Sequence, residues 1–281
     1  MKLNTYSPLR YPGGKNKLTN YIQLLINKND LNGCTYIEPY TGGGALALNL
    51  LFNNVVNKII INDLDHSIYA FWYSVLHHTE ELCRLIQITD ITIENWYIQK
   101  DIQKNKSSVS LLELGFSTLF LNRTNRSGIL KAGVIGGKSQ CGTYKLDCRF
   151  NKDAIIKKIR MIASRKSDIT LYNLDSIQLL ETVLPKIHDK KFIFLDPPYY
   201  VKGASLYNQY YVHTDHQQLA QTLKNLNNEH WVLTYDFIET ICDLFGDFDS
   251  RTYHLQYSLA TKRSANEIMF FSNKINKIQD F

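Results

Sequence analysis

Short apolar stretches alternate with helical patterns along most of this 281-residue sequence, and this alternation limits the possible folds more than any other feature. We predict strands at 35–37, 58–62, 169–173, 192–195 and 231–235, and helices at 45–52, 67–76, 152–165, 177–184 and 213–226. Strands that are connected by helices pair in parallel, so the pattern predicts an α/β fold. Two β-rich segments at 252–259 and 267–271 predict a terminal antiparallel pair.

The stretch from about residue 77 to residue 150 interrupts the alternation. It contains a helical pattern at 110–120 and a glycine-rich segment at 128–142, which predicts a loop or a hairpin. We therefore predict two parts. Residues 1–72 and 151–281 form the main α/β domain, and residues 73–150 form an insertion.

Charge and composition give general expectations about the environment and the partners of the protein. The net charge is +6, but residues 122–166 alone carry +10 and the remainder −4, so a polyanion is expected at that segment. No apolar run approaches the roughly 20 residues of a membrane-spanning helix, and the start of the chain lacks the apolar stretch of a signal peptide. We expect a cytoplasmic protein. The five cysteines form no CxxC pair, so we expect neither a metal site nor a disulfide framework.

A glycine-rich turn follows the first predicted strand. Residues 38–44 read Glu-Pro-Tyr-Thr-Gly-Gly-Gly, and glycines at this position let the backbone turn tightly and approach a ligand closely. Asp63 ends the second predicted strand about 20 residues later, where an acidic residue binds the hydroxyl pair of a ribose. The pattern indicates a nucleoside-cofactor pocket. The alternative is a turn that only packs a helix on the sheet.

A second motif, Asp-Pro-Pro-Tyr at residues 196–199, directly follows the apolar strand at 192–195. The two prolines fix the backbone and remove two amide donors, so the Asp196 carboxylate and the nearby carbonyl groups face a crevice as acceptors. Tyr199 adds a flat aromatic face. Such a site suits a planar base with an exocyclic amino group. A strand-terminating turn with a surface aspartate is the alternative.

Together these motifs resemble those of the Dam-like (class alpha) N6-adenine-specific DNA methyltransferases, which use S-adenosylmethionine. The resemblance covers nearly the whole chain. It rests on Arg-Tyr-Pro-Gly-Gly-Lys at 10–15, the glycine motif at 38–44, Asp63, the motif at 196–199, and the segment at 121–128. It implies a Rossmann-like methyltransferase sheet with a terminal antiparallel hairpin and an inserted helical and hairpin domain that recognises DNA.

The resemblance also implies roles for individual residues. Catalysis is expected from Asp196, Pro197, Pro198 and Tyr199. Cofactor contacts are expected from Tyr11, Lys15, Glu38, Pro39, Tyr40, Gly42, Gly44, Asp63, Asp175 and Asp196. DNA contacts are expected from Asn122, Arg123, Arg126, Lys131 and Lys138. The implied partner is double-stranded DNA, with a separately acting restriction endonuclease as a candidate second partner and a monomer as the expected state.

The chemistry follows from the weak nucleophilicity of an adenine amino group, whose lone pair is delocalised into the ring. Hydrogen bonds from this amino group to the Asp196 carboxylate and the Pro197 carbonyl favour a more tetrahedral nitrogen, and Asp196 stabilises the developing positive charge. The same chemistry fits a cytosine amino group, so a cytosine-N4 methyltransferase is an alternative. A catalytically silent DNA-binding homologue is another.

Residues 132–139 fit the loose pattern of a phosphate-binding loop, but their surroundings in the sequence do not. No long apolar strand precedes it, and the residues that follow are poor helix formers. A glycine-rich hairpin that contacts DNA explains the segment better.

Overall fold

A seven-stranded sheet forms the centre of the molecule in the computed structural model, which describes residues 5–11, 15–200, 211–226, 228–258 and 262–278. The strands are β1 Thr35–Glu38, β2 Lys58–Asn62, β3 Ile169–Tyr172, β4 Lys191–Leu195, β5 His230–Asp236, β6 Asp249–Ser258 and β7 Lys262–Phe271. Their order in the sheet is β3-β2-β1-β4-β5-β7-β6. Strands β1 to β5 are parallel, and β7 lies antiparallel between β5 and β6. The predicted Rossmann-like α/β sheet with a terminal antiparallel pair is confirmed.

The helices of the described residues are α1 Thr19–Lys28, α2 Ala45–Phe52, α3 His66–His77, α4 Thr79–Ile88, α5 Ile93–Lys104, α6 Leu111–Thr124, α7 Lys152–Ala163, α8 Ser176–Thr182, α9 His213–Asn225 and α10 Glu239–Leu244. The predicted helices agree with these bounds to within a few residues at each end. Helices α1, α4, α5 and α10 were not predicted. None of the helices in the described ranges combines the length and the apolar character that a membrane crossing requires.

The sheet is buried on both faces, and neighbouring residues of one strand serve opposite faces because side chains alternate along a strand. On one face, Tyr36 and Phe192 belong to a core cluster shared with helices α1 to α7. On the other face, Ile37 and Ile193 pack with residues of α8, α9 and α10. Buried strands of this kind read as continuous apolar runs, which is why they were visible in the sequence.

The inserted segment shares its core with the rest of the molecule. The predicted boundary at residues 72 and 73 lies inside α3, and α6 packs along that helix. Trp72, Phe116 and Phe120 belong to the same cluster as Tyr36 of β1. The division into a catalytic and a recognition part therefore stays a prediction about function and does not correspond to two separate cores.

The glycine-rich segment at 128–142 is a loop, and the hairpin interpretation of this segment is wrong. Only one isolated antiparallel bridge, between Asn125 and Val134, is formed within residues 125–150. Gly136 and Gly137 have φ values of 83° and 76°, in the left-handed region that turns the chain away from an extended ladder. No helix follows residues 132–139 before α7, which agrees with setting aside the phosphate-loop pattern.

Candidate active site

Four acidic residues that follow neighbouring strands line a single cavity of about 640 Å³. Glu38 ends β1, and Asp63, Asp175 and Asp196 follow β2, β3 and β4. The carboxyl ends of parallel strands meet at one edge of the sheet, and the strand order reverses between β1 and β4. Ligands bind α/β sheets at such a point. The residues that the sequence assigned to a cofactor pocket and to a catalytic motif therefore share one cavity.

The glycine turn is held in place from three sides. The backbone N–H of Gly42 donates to Asp63 Oδ2 at 2.7 Å, and the indole Nε1 of Trp72 donates to the Gly42 carbonyl at 3.0 Å. Gly42 and Gly44 have φ values of 47° and 58°. A Cβ atom at Gly42 would lie 2.6 Å from the ring of Tyr11, so only glycine lets Tyr11 pack this closely. The N-terminal motif and the glycine motif are thus brought together; Pro12, Gly13 and Gly14 lie outside the described residues.

The acidic residues of the cavity are poorly hydrated. Burial, and after it the charge of Asp196, raises the pKa of Glu38 well above its ordinary value. Glu38 Oε2 is buried and accepts no hydrogen bond from the part of the chain that the structure describes. Burial, and after it the nearby Asp65, raises the pKa of Asp63 to about 7 against the backbone N–H groups of Asp65 and Gly42. Among the described residues, Glu38 Oε2 thus lacks a donor that the ammonium group of a ligand would supply, whereas each oxygen of Asp63 already accepts one backbone N–H and can accept a further hydroxyl.

Hydrogen bonds between side chains and neighbouring loops join the strand ends around this cavity. Asn62 at the end of β2 donates to the carbonyls of Pro39 and Leu174 and accepts from the Leu174 N–H. Asp175 Oδ1 caps α8 by accepting from the N–H groups of Ile177 and Gln178. The hydroxyls of Tyr40, Ser176 and Tyr211 hydrogen-bond one another at 2.7 to 2.8 Å. These contacts fix the walls of the cavity.

The Asp-Pro-Pro-Tyr motif meets the N-terminal motif at Lys15. Asp196 Oδ1 accepts a hydrogen bond from the Thr234 hydroxyl at 2.8 Å and lies 3.0 Å from Lys15 Nζ. Lys15 Nζ also donates to the Tyr199 hydroxyl at 2.8 Å and lies 4.8 Å from the centre of its ring. Burial raises the pKa of Asp196, and the charge of Lys15 opposes this increase. Pro198 lines the cavity, whereas the Pro197 side chain is buried beneath it.

The five residues that were predicted to contact DNA lie in different environments. Arg126, Lys131 and Lys138 are exposed, and Lys138 Nζ lies 5.8 Å from the ring centre of Tyr97. Arg123 instead lines the cavity, and its Nε is buried without a hydrogen-bond partner among the described residues.

Asn122 does not face the solvent, and its assignment as a DNA contact is corrected by the structure. Its side chain is 2% exposed. Its Oδ1 accepts from the Arg10 N–H at 2.7 Å, and its Nδ2 donates to the carbonyls of Arg10 and Gly128. Because its amide is used in this way, Asn122 positions the backbone that leads into the N-terminal motif.

Arg123 belongs to a group of four cations that the sequence did not bring together, Arg10, Arg123, Arg149 and Lys158. Burial, and after it the charges of Arg10 and Arg149, lowers the pKa of Arg123 to about 10. Burial, and after it the charge of Arg123, lowers the pKa of Lys158. Burial, and after it the charge of Arg149, lowers the pKa of Arg10. Like charges that lie close together in this way give a positive potential beside the cavity.

Comparisons with known proteins identify the family. A model of the D12 class N6 adenine-specific DNA methyltransferases matches residues 11–259. The chain belongs to this family of DNA methyltransferases. It is also 24% identical over 204 residues to the Type II methyltransferase M.MjaIII of Methanocaldococcus jannaschii, which covers 68% of each chain.

Two solved methyltransferase structures are more distant. A protein of Pyrococcus horikoshii that is proposed to be an RNA methyltransferase, PH1948, superposes with a TM-score of 0.45 and 8% identity, over 96% of this chain and 92% of its own. A SAM-dependent methyltransferase of Agrobacterium tumefaciens has a TM-score of 0.44 and 9% identity, over 92% of this chain and 63% of its own.

The enzyme therefore methylates N6 of adenine in DNA, and its methyl donor is S-adenosylmethionine. Adenine, and not cytosine, is the base that the family modifies. The cavity fits this donor, because Glu38 Oε2, which has no hydrogen-bond partner among the described residues, offers an acceptor for an ammonium group, and a space of about 640 Å³ lies against Gly43 and Gly44 of the glycine turn.

Two residues of the methyltransferase site lie outside every sequence motif. Thr234 on β5 contacts Asp196, and Glu267 on β7 lies 3.7 Å from Lys15 Nζ. Thr234 lies between apolar residues of β5, and Glu267 directly precedes the apolar run at 268–271 of β7. A polar residue within or beside a buried apolar run is the only signal that the sequence offers. The sequence does not indicate that Thr234 would contact Asp196 or that Glu267 would lie beside Lys15.

Proposed function

We propose that this DNA adenine methyltransferase acts on an adenine that is rotated out of a duplex into the cavity beside Asp196. The observation that carries this proposal is that Asp196, Asp63 and the glycine motif with Glu38 line the same cavity. A base that remains stacked within a duplex cannot enter such a cavity, so it must leave the helix. Tyr199 then offers its ring to the extruded base.

The cofactor side of the cavity follows from the acids at the ends of β1, β2 and β3. Glu38 would bind the ammonium group at the methionine end, Asp63 the ribose hydroxyls and Asp175 the adenine amino group, with Tyr11 against the glycine turn. When bound, S-adenosylmethionine supplies an electrophilic methyl group on a sulfonium sulfur. The chain's own contribution is to hold the target nitrogen in line with that methyl group.

Asp196 carries the chemistry at the target nitrogen. Its Oδ1 is occupied by Thr234 and Lys15, so Oδ2 is the oxygen that accepts from the adenine amino group. The Pro197 carbonyl accepts the second amino hydrogen. These two acceptors favour a tetrahedral nitrogen, and the carboxylate stabilises the positive charge that develops there.

The cations near the cavity, together with the exposed cations of the loop at 128–142, would bind the phosphates of DNA. Arg10, Arg123 and Lys158 line the cavity, where a phosphate next to the extruded nucleotide would lie. The exposed Arg126, Lys131 and Lys138 extend this positive surface along the loop at 128–142. Phosphate contacts position a protein on DNA, and contacts to base edges specify the sequence.

Rotation of the target base can be tested once methylated DNA from cells that express the enzyme has been sequenced, since this gives the target motif. A duplex with 2-aminopurine at the target position is then titrated with the enzyme. We expect a rise in fluorescence, because an unstacked 2-aminopurine is no longer quenched. A 2-aminopurine one position away serves as the control. Binding without a larger rise at the target position would contradict the proposal.

We further propose that the enzyme is a monomer in the cytoplasm and protects DNA from a separate restriction endonuclease. The named relative, a Type II methyltransferase, supports this role. DNA from expressing cells should resist an endonuclease that cleaves the methylated motif. A methylation pattern spread over many unrelated sequences would argue against it.

A further inference from the structure

Glu267 forms a buried ion cluster with the two residues at the centre of the proposed mechanism. Its side chain is 1% exposed, and its Oε2 lies 3.7 Å from Lys15 Nζ. Lys15 Nζ in turn lies 3.0 Å from Asp196 Oδ1. One cation is thus shared by two carboxylates, one of which contacts the target nitrogen in the proposed function.

The sheet register fixes Glu267 in this place. Glu267 on β7 pairs directly with Tyr253 on β6 and with Asp236 on β5. Side chains of directly paired residues lie on the same face of a sheet. The Tyr253 hydroxyl donates to Glu267 Oε2 at 2.7 Å. The carboxylate is therefore held toward Lys15 from the neighbouring strand.

The charge of the cluster matters for the reaction. During methyl transfer the N6 lone pair forms the bond to the methyl carbon, the bond from that carbon to sulfur breaks with its electrons left on sulfur, and N6 is positive until one proton leaves to water. A carboxylate that is paired only with Lys15 forms a neutral unit and attracts this charge weakly. The Glu267 carboxylate adds negative charge beside this pair and strengthens its attraction for the positive N6.

We propose that Glu267 is a positioning residue for methyl transfer, which holds Lys15 and adds negative charge beside the Asp196–Lys15 pair at the target nitrogen. This inference rests on the proposed role of Asp196. It also explains why a carboxylate is tolerated inside a strand whose other side chains at residues 268–271 are buried and apolar. A buried charge needs a partner, and Lys15 is that partner.

A purely structural role makes different predictions, and Glu267→Gln separates the two. Glutamine keeps the size and an acceptor for Tyr253 but removes the charge. We expect the single-turnover rate of methyl transfer, with cofactor and DNA both saturating, to fall about tenfold or more. We expect the affinities for cofactor and DNA to change little. The matched control is Glu229→Gln, which removes the acid of the Lys191–Glu229 ion pair at the opposite end of β5 and should keep the wild-type rate.

A second readout needs neither cofactor nor turnover. Glu267 raises the pKa of Asp196, so its neutralisation should lower that pKa. Carboxyl-carbon NMR titration of the cofactor-free variant measures this shift, and the acidic limb of the rate profile should move to lower pH with it. Other titratable groups face the cluster, and their NMR shifts must be separated from the shift of Asp196. They are Glu38, Tyr36, Tyr199, Tyr235, Asp236 and Tyr253.

A double variant tests the charge argument separately from the loss of the Glu267 carboxylate. Lys15→Met with Glu267→Gln removes one charge of each sign and leaves the net charge of the cluster as in wild type. We expect its rate at saturating cofactor to exceed that of Glu267→Gln. A wild-type rate and pH profile in Glu267→Gln would overturn the proposal, and so would a slower variant with an unshifted Asp196 pKa or a double variant no faster than the single one. Full activity of Asp196→Ala would instead overturn the proposed function itself.

Discussion

At the scale of single residues, the site is a group of carboxylates placed where water is scarce. Burial raises the pKa values of Glu38, Asp63 and Asp196. Such acids are poor contributors to folding but strong acceptors once a ligand with matching donors arrives. The cavity is therefore built for its ligands at some cost to the stability of the free protein.

Asp63 makes this cost measurable through the dependence of stability on pH. Its pKa is raised from 3.8 to about 7 in the folded protein, so the folded state binds more protons between these values. The contribution of Asp63 to the free energy of unfolding therefore falls as pH rises from about 4 to about 7. Asp63→Asn should remove this fall. Urea denaturation of both proteins from about pH 4.5 to about pH 8 covers the range of this titration. As the pH rises, the variant should gain stability relative to wild type. Parallel pH profiles would contradict the shifted pKa.

At the scale of elements, the sequence predicted the parallel strands and the motifs at their ends, because buried apolar runs and glycine or proline turns are local signals. Helices α4 and α5 were not predicted, because the pattern of apolar and polar residues is weak in this part of the sequence. The hairpin at 128–142 was wrong because the glycines there break the ladder. Thr234 and Glu267 were not predictable, since their partners come from strands that are distant in sequence.

Asn122 shows how a motif residue can serve an element and not a ligand. Asn122→Ala would leave the buried Gly128 carbonyl and the partly buried backbone N–H and C=O of Arg10 without this partner, which costs about 1–3 kcal/mol in the free energy of unfolding. Denaturation measures this loss. We expect the salt dependence of DNA binding to stay as in wild type. A variant of full stability with a reduced salt slope would show that Asn122 contacts DNA.

At the scale of the whole molecule, the charge is divided between two regions that share one core. Residues 122–166 carry +10, and the rest of the chain carries −4. The basic segment contains α7, whose Lys158 reaches the cavity, and the loop with Arg126, Lys131 and Lys138. This distribution supports the proposal that DNA binds on the side of the molecule where the cavity lies.

The salt dependence of DNA binding tests this placement. Arg123→Ala should weaken binding and reduce the slope of log affinity against log salt by about 1, as expected for the loss of one phosphate contact. Lys186→Ala is the matched control, because Lys186 is exposed just before β4, at the opposite edge of the sheet. Fluorescence anisotropy over a salt series measures both slopes. Equal slopes for the two variants would remove Arg123 from the DNA surface.

The most direct test is analysis of the methylated nucleoside formed by wild type and by Asp196→Ala. Purified enzyme is incubated with isotope-labelled S-adenosylmethionine and duplex DNA, and the digested DNA is separated by mass. We predict labelled N6-methyldeoxyadenosine for wild type and none for Asp196→Ala, which should still bind the cofactor. Labelled N4-methyldeoxycytidine, or a wild-type yield of methylated adenine from Asp196→Ala, would contradict the proposed mechanism.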